Sequence, residues 1–166
     1  MKIIDNFLDS SHFELIEEYL LGNNFPWHYN DCIVDEDDGG YQFVHCFFDG
    51  KIRNKYDNSP YKSKYCRIVE MDAILRKIGC EEILRIKANL NPPTYFPKES
   101  LYHIDYCNGT TAIFYVNTNN GYTEFKNGDK VESVANRLVI FDSNREHRGV
   151  TCTDQKRRVV INFNWT

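Results

Sequence analysis

The 166-residue sequence lacks several features that mark specialised classes of protein. Its longest strongly apolar runs, such as residues 138–141, are far shorter than the roughly 20 residues that a membrane-spanning helix requires. Residues 1–5 do not show the pattern of a signal peptide. No internal repeat or low-complexity linker is present. These absences predict a soluble, cytoplasmic protein that has no membrane partner.

The sequence also lacks an excess of positive charge. It contains 20 Lys and Arg against 24 Asp and Glu, which gives a net charge of −4. Nucleic acids attract basic surfaces, so this balance argues against a nucleic-acid partner. Residues 51–67 are a local exception, with six basic side chains against Asp57. We interpret this stretch as a solvated loop.

Disulfide-rich scaffolds are excluded as well. The six cysteines form no Cys-x-x-Cys pair, and their density is too low for a disulfide framework, so we interpret them as reduced thiols. The composition is otherwise globular, with 42% hydrophobic and 14% aromatic residues. The length suits a single domain, 1–166, in which residues 1–80 brace a core formed by residues 81–166.

The N-terminal part shows helical and hairpin patterns. Ser11 and Glu14 have the spacing of a capping box in front of apolar residues, which predicts a helix over 11–21. A second apolar stripe predicts a helix over 68–78. The aromatic stretches 25–29 and 41–48 lie between them and predict a β-hairpin, separated by an acidic turn at 35–40.

The C-terminal part consists of short β-type runs separated by turn residues. About eight strands at this spacing predict a mainly β domain of the sandwich, barrel or jelly-roll type, with flanking helices. The predicted strands are 83–90, 101–106, 110–117, 121–125, 129–134, 137–141, 147–152 and 157–165.

Candidate metal ligands lie in two of these runs. His103 and Asp105 are two residues apart, so they project from one face of a strand. His147 follows two hairpins later, and folding the β run back on itself would bring it beside this pair. Two histidines and one carboxylate leave three positions open on an octahedral ion, as in non-haem Fe(II) oxygenases, although zinc would also accept these ligands.

A guanidinium near such a site favours iron chemistry, because an open iron site needs a bidentate organic acid held nearby. Arg157 and Arg158 open the last predicted strand. Neighbouring strand residues face opposite ways, so only one of them points inward. Arg158 shares its face with the polar Asn162, whereas Arg157 shares its face with apolar residues. Alternation therefore favours Arg158 over Arg157 as the ligand-binding arginine.

These features resemble the Fe(II)- and 2-oxoglutarate-dependent dioxygenases, most closely the prolyl 4-hydroxylase-like group and its short bacterial and phage members. The resemblance covers residues 83–165. It rests on the segments 85–90, 102–106, 112–117, 121–125, 136–141 and 158–165, together with His147.

The resemblance implies a double-stranded β-helix, which is a jelly roll. It assigns His103, Asp105 and His147 as the catalytic iron ligands, and it assigns Arg158 and Tyr115 as partners of the distal carboxylate of 2-oxoglutarate. The implied cofactors are Fe(II), 2-oxoglutarate as cosubstrate, and O2. The implied activity is hydroxylation of a C–H bond with release of succinate and CO2. Two departures stand out: Asn120 occupies a position where the family often has glycine, and the distal basic residue of the family is sometimes lysine.

The substrate does not follow from these motifs. By analogy we expect a peptidyl proline or a free amino acid, bound by the region 27–61 and by a loop at 92–100 that carries Tyr95 and Phe96. The alternatives are a non-catalytic, cupin-like jelly roll that binds a metal or another ligand, and a structural zinc site. Neither alternative requires the arginine that follows His147.

Overall fold

The structure is a computed structural model that describes residues 1–36, 38–69, 71–80 and 82–166. The acidic turn predicted at 35–40 includes Asp37, which lies outside the described residues. None of the helices in the described ranges combines the length and the hydropathy needed to span a bilayer.

The first helix, α1, spans Ser10–Leu21. Its N-cap is Asp9, whose side chain accepts a hydrogen bond from the His12 backbone N–H at 3.2 Å. The predicted Ser11 cap is therefore wrong, and the Ser11 hydroxyl instead donates to Asp9 at 2.7 Å. The second predicted helix is two short helices, α2 at Tyr65–Ile68 and α3 at Met71–Ile78.

The strands of the described residues pair antiparallel in two sheets. The larger sheet has the order β1-β9-β6-β11-β5-β3-β2, with β4 beside β3, and the smaller has the order β10-β7-β8. The strands are β1 Lys2–Ile4, β2 His28–Asn30, β3 Gln42–Arg53, β4 Pro60–Lys62, β5 Ile83–Asn91, β6 Thr110–Tyr115, β7 Tyr122–Phe125, β8 Lys130–Glu132, β9 Arg137–Asp142, β10 His147–Val150 and β11 Arg158–Trp165.

The two faces of the larger sheet bury different clusters. The outer face packs against α1 and α3, where Ile16 and Ile74 join Phe114 and Ile161 in the main core. The inner face packs against the smaller sheet in a second cluster: Ile113, Tyr115, Phe125, Val131, Val139, Phe141 and Val160. Helices on one face and a second sheet on the other are what the sequence predicts for a jelly roll braced by its N-terminal part.

The predicted strand 101–106 is wrong as a regular element. Here the chain forms one isolated bridge, between His103 and His147, and bends directly afterwards. His103 N–H donates to the His147 carbonyl at 2.9 Å, and His147 N–H donates to the His103 carbonyl at 3.0 Å. A single bridge is enough to fix these two residues side by side.

Candidate active site

The three predicted metal ligands converge. The potential ligand atoms of His103, Asp105 and His147 all lie within 4.8 Å of one another. The isolated bridge places the two imidazoles together, with ring centroids 4.7 Å apart. Asp105 follows two residues later and brings its carboxylate between the segment of His103 and strand β10. Residues 44 positions apart thus share one side of the cavity because a single pair of backbone hydrogen bonds joins them.

Backbone carbonyls orient both imidazoles. His103 Nδ1 is 3.1 Å from the Leu101 carbonyl, and His147 Nδ1 is 3.1 Å from the Arg145 carbonyl. A carbonyl only accepts, so each Nδ1 carries a proton, and Nε2 is the ring nitrogen left for a metal. The two Nε2 atoms lie 3.9 and 3.8 Å from the Asp105 oxygens. Metal-binding histidines commonly have this arrangement, in which one ring nitrogen donates to a backbone carbonyl and the other faces the metal.

Asp105 is held by two neighbours. Arg85 donates to Oδ1 at 2.8 Å, and the Asn162 amide donates to Oδ2 at 3.3 Å. Burial by itself would raise the pKa of Asp105, but the Arg85 guanidinium and the two imidazoles outweigh burial and lower this pKa. The carboxylate is therefore ionised. Burial lowers the pKa of His147 and favours the neutral imidazole, so both groups are in the state that binds a metal.

Arg158 forms the closed inner end of the same cavity. It is only 3% exposed, and it donates to the Ser133 hydroxyl at 2.9 Å and to Thr123 Oγ1 at 3.1 Å. No carboxylate of the described residues pairs with it. Burial of the unneutralised cation lowers the pKa of Arg158. A buried guanidinium whose hydrogen bonds within the described residues go only to hydroxyls is a site for an anionic ligand.

Tyr115 belongs to this inner end as well. Its hydroxyl donates to Thr123 Oγ1 at 2.8 Å, and its ring centroid is 5.7 Å from the guanidinium carbon of Arg158. Thr123 Oγ1 thus accepts from both Tyr115 and Arg158, which uses both acceptor positions of a hydroxyl. Thr123 lines the cavity, and its own proton is left to donate to a ligand there.

The structure separates the two candidate arginines. Arg158 lines the cavity together with Val160 and Asn162, whereas Arg157 is absent from the cavity wall and only half-buried. Gly121 provides the space that Arg158 occupies, since a Cβ at this position would lie 2.8 Å from Arg158 Cδ and 2.7 Å from the Val150 carbonyl oxygen. The neighbouring Asn120, where the family often has glycine, points away and bonds Thr153 at 2.7 Å.

One cavity of about 270 Å³ joins the ligand triad to Arg158. Both regions expected to contact substrate contribute to its wall: Ile33, Val34 and Gln42 from the first, and Lys98, Glu99 and Ser100 from the second. Tyr95 and Phe96 do not line it, and they are 90% and 74% exposed. The loop therefore contributes residues 98–100 to the cavity wall, and its two aromatic side chains lie outside that wall.

Sequence analysis assigned no role to several residues in or beside this cavity. Arg85, Thr123 and Ser133 hold the metal-binding or anion-binding groups in place, and only the structure shows this. Alternation along β11 did place Asn162 on the face of Arg158. The other three residues lie on different strands or on a connection, so their proximity depends on the pairing of the sheets.

Comparisons with known proteins agree with this architecture. No protein-family model and no curated protein sequence matches the chain. Three solved structures are similar in fold over 99% of the chain. A prolyl hydroxylase from Trichoplax adhaerens, in complex with a hypoxia inducible factor peptide fragment, has a TM-score of 0.63 and 15% identity and is covered over 82% of its own length. A prolyl-4-hydroxylase from Pseudomonas putida has a TM-score of 0.61 and 16% identity over 91% of its length. A 2OG-Fe(II) oxygenase family protein from Burkholderia pseudomallei has a TM-score of 0.65 and 10% identity over 84% of its length.

The chain has the fold of the prolyl 4-hydroxylase-like 2-oxoglutarate oxygenases. This confirms the predicted fold class, a mainly β jelly roll with flanking helices. At 10–16% identity, the likeness concerns the fold. The roles of individual residues rest on the geometry described above.

Proposed function

We propose that this protein is an Fe(II)- and 2-oxoglutarate-dependent dioxygenase that hydroxylates a C–H bond of an amino acid, either free or within a peptide. The observation that carries the proposal is the shared cavity. It joins a His-Asp-His cluster to a buried arginine that contacts no carboxylate of the described residues. The fold of the three solved structures supports the same class of enzyme.

The donor set fits iron. Two imidazole nitrogens and one carboxylate form a facial set that leaves three coordination positions for a chelating cosubstrate and O2. His103, Asp105 and His147 would hold the metal, and Arg85 and Asn162 would hold Asp105. When bound, the metal and 2-oxoglutarate supply the oxidising chemistry, with succinate and CO2 as by-products. The protein itself needs no nucleophile.

Arg158 would bind the distal carboxylate of 2-oxoglutarate at the inner end of the cavity. Thr123 offers its hydroxyl proton to the same carboxylate, and Tyr115 keeps the Thr123 oxygen in place from the other side. Ile113 and Val160 of the second apolar cluster line the cavity together with these groups, and Arg158 is only 3% exposed. The cosubstrate would therefore be held at one end, and its keto acid end would point towards His103, Asp105 and His147.

Two measurements test the proposal. Anaerobic addition of Fe(II) and 2-oxoglutarate to the purified protein should produce the weak visible charge-transfer band of the chelate, and addition of O2 should then release succinate. Arg158→Met should weaken 2-oxoglutarate binding, so that the band appears only at higher 2-oxoglutarate concentrations. Arg157→Met should leave this concentration unchanged. A protein that binds Fe(II) but gives neither the band nor succinate would be a non-catalytic, cupin-like metal-binding module, and the proposal would be wrong.

A further inference from the structure

Lys87 is a cavity residue to which the proposed mechanism assigns no task. It lies in the middle of β5, and its backbone pairs with Asn162 on β11 and with Cys46 on β3. Arg85 and Asn89, two residues to either side, line the same cavity, so one face of β5 forms its wall. Strand β5 is central in the larger sheet, between β11 and β3, so this wall is rigid.

The acidic side chains of the cavity wall already have cationic partners. Asp105 is paired with Arg85 at 2.8 Å, and Glu99 is paired with Arg148 at 2.6 Å. Neither carboxylate is therefore a dedicated counter-ion for Lys87.

Lys87 makes no ion pair or side-chain hydrogen bond within the described ranges of the chain. The other lysine of the cavity, Lys98, is different, since it is exposed at the rim and donates to the Gly39 carbonyl at 3.1 Å. Burial and the nearby Arg85 guanidinium lower the pKa of Lys87, and the attraction of the Asp105 carboxylate offsets this only in part. Of the two cavity cations that have no ion-pair partner among the described residues, Arg158 is assigned to the cosubstrate, and the half-buried Lys87 remains.

A second polar group beside Lys87 also lacks a partner. Asn89 Oδ1 is buried and accepts no hydrogen bond from the protein. Buried carbonyl oxygens in folded proteins are almost always satisfied, so an unsatisfied one on a cavity wall indicates a ligand donor. Asn89 is two residues from Lys87 on the same face of β5, so the acceptor and the ammonium belong to the same wall of the cavity.

The rest of the wall mixes aliphatic and polar side chains. Among the described residues that line the cavity, none is Phe, Tyr or Trp. The cavity of about 270 Å³ lies at the small end of ligand sites, so only one small group fits beside a cosubstrate. Within this wall, a cation and an acceptor that lack protein partners suit a small anion that also carries a hydrogen-bond donor.

We propose that the substrate carries a carboxylate, which the Lys87 ammonium binds, next to an N–H group that donates to Asn89. An α-amino acid carries both groups on its α-carbon, and so does the C-terminal residue of a peptide. An acidic side chain within a peptide supplies the same carboxylate. This inference rests on the proposed function, because it places the substrate beside a cosubstrate already held by Arg158.

Binding to the inactive zinc complex tests the inference without turnover, since Zn(II) has no redox chemistry. The protein is loaded with Zn(II) and saturating 2-oxoglutarate and titrated calorimetrically with three sets of probes. These are the twenty L-amino acids, the same amino acids as primary amides, and capped tripeptides with a central Glu or Gln. At least one carboxylate probe should bind roughly ten- to hundredfold more tightly than its amide, the range expected for one charge-assisted hydrogen bond.

Variants at position 87 locate the carboxylate. Lys87→Met keeps the length of the side chain, removes the charge, and should weaken the best carboxylate probe by the same roughly ten- to hundredfold. Lys87→Arg should restore most of the affinity, which shows that the charge matters and that the strand still folds. Lys98→Met is the matched control at the rim of the cavity and should leave this affinity within about twofold.

The outcomes separate the inference from the proposed function. Equal binding of acids and amides would overturn the inference, as would a loss in Lys98→Met that equals the loss in Lys87→Met. If Lys87→Met weakened 2-oxoglutarate rather than the probe, the lysine would serve the cosubstrate and the inference would be wrong. If the wild-type complex bound 2-oxoglutarate but no carboxylate probe, the inference would fail and the proposed function would stand. If the protein did not bind 2-oxoglutarate at all, both the inference and the proposed function would be wrong.

Discussion

The two ends of the cavity treat buried charge in opposite ways. At the metal end, the Asp105 carboxylate is paired with Arg85 at 2.8 Å and also accepts from Asn162. At the inner end, Arg158 is at least as deeply buried, yet among the described residues it hydrogen-bonds only to the hydroxyls of Ser133 and Thr123. The charge of Asp105 is therefore paired within the protein, whereas the charge of Arg158 has no ion-pair partner among the described residues.

This difference separates two tasks. A paired carboxylate has a fixed position, which a metal ligand needs, because coordination geometry tolerates little error. An unpaired buried guanidinium destabilises the empty protein and gains strongly when an anion arrives, so it provides affinity and selectivity. The following substitutions test whether the two ends have these separate tasks.

The largest expected effect is at Asp105. Asp105→Asn keeps the shape of the side chain but removes the charge that a divalent ion requires. Loss of a residue that only hydrogen-bonds a metal ligand costs about 10- to 100-fold in metal affinity, so loss of this ligand itself should cost at least about a hundredfold. Competition of Fe(II) or Mn(II) with a chelator measures this directly. Asp142→Asn, at an exposed carboxylate of β9, is the control and should bind metal normally.

Arg158→Met should have the next largest effect, on the cosubstrate rather than on the metal. We expect the apparent KM for 2-oxoglutarate to rise by about a hundredfold, because a charge-assisted pair in a closed site is lost. Metal affinity without cosubstrate should stay within about threefold of the wild-type value. Arg157→Met should leave the KM nearly unchanged, and the opposite pattern would transfer the role to Arg157.

The same substitution has a second, thermodynamic readout. Replacing a buried, unneutralised cation by an apolar side chain of similar length is often neutral or stabilising. The metal-free Arg158→Met protein should therefore unfold at the same temperature as the wild-type protein or at a higher one. A clear decrease in Tm would show that Ser133 and Thr123 already satisfy the guanidinium, and the contrast between the two ends would be lost.

Arg85→Met tests the metal end of the cavity and should have a smaller effect than Arg158→Met. Asp105 would keep its Asn162 contact but lose its main orienting partner and the cation that does most to lower its pKa, so metal affinity should fall by about tenfold. Arg85→Lys should recover only part of this affinity, since lysine cannot reproduce the planar fork of arginine. Metal binding at the wild-type level in Arg85→Met would mean that Asp105 needs no orienting cation.

The same division explains which parts of the site were predictable from the sequence. His103 and Asp105 are two residues apart on one segment, and the face of Arg158 follows from alternation along one strand. Such local periodicities are encoded in the sequence. Thr123 and Arg85 act on residues 35 and 20 positions away, respectively, and their roles depend on strand order and register. A single sequence does not specify these.

The fold shows the same limit. The strands of residues 110–165 follow their turn residues closely, because each turn is a local signal. The segment 101–106 was predicted as a strand from its alternation, but it forms a single bridge, since pairing depends on what lies opposite. The Ser11 cap failed because the helix begins earlier: Asp9 is the N-cap and accepts from the His12 backbone N–H, so Ser11 lies inside the first turn.

Tyr115→Phe should have the smallest effect and is the most specific test of the inner end. The structure has the Tyr115 hydroxyl donating to Thr123 Oγ1, so we expect Tyr115 to act on the cosubstrate through Thr123. Loss of one neutral hydrogen bond should raise the KM for 2-oxoglutarate by about threefold. In a Thr123→Val background the tyrosine has no hydroxyl to position, and Tyr115→Phe should then change nothing further. Additive effects in this double-mutant cycle would instead mean that Tyr115 binds the carboxylate directly, as the resemblance to prolyl hydroxylases implies.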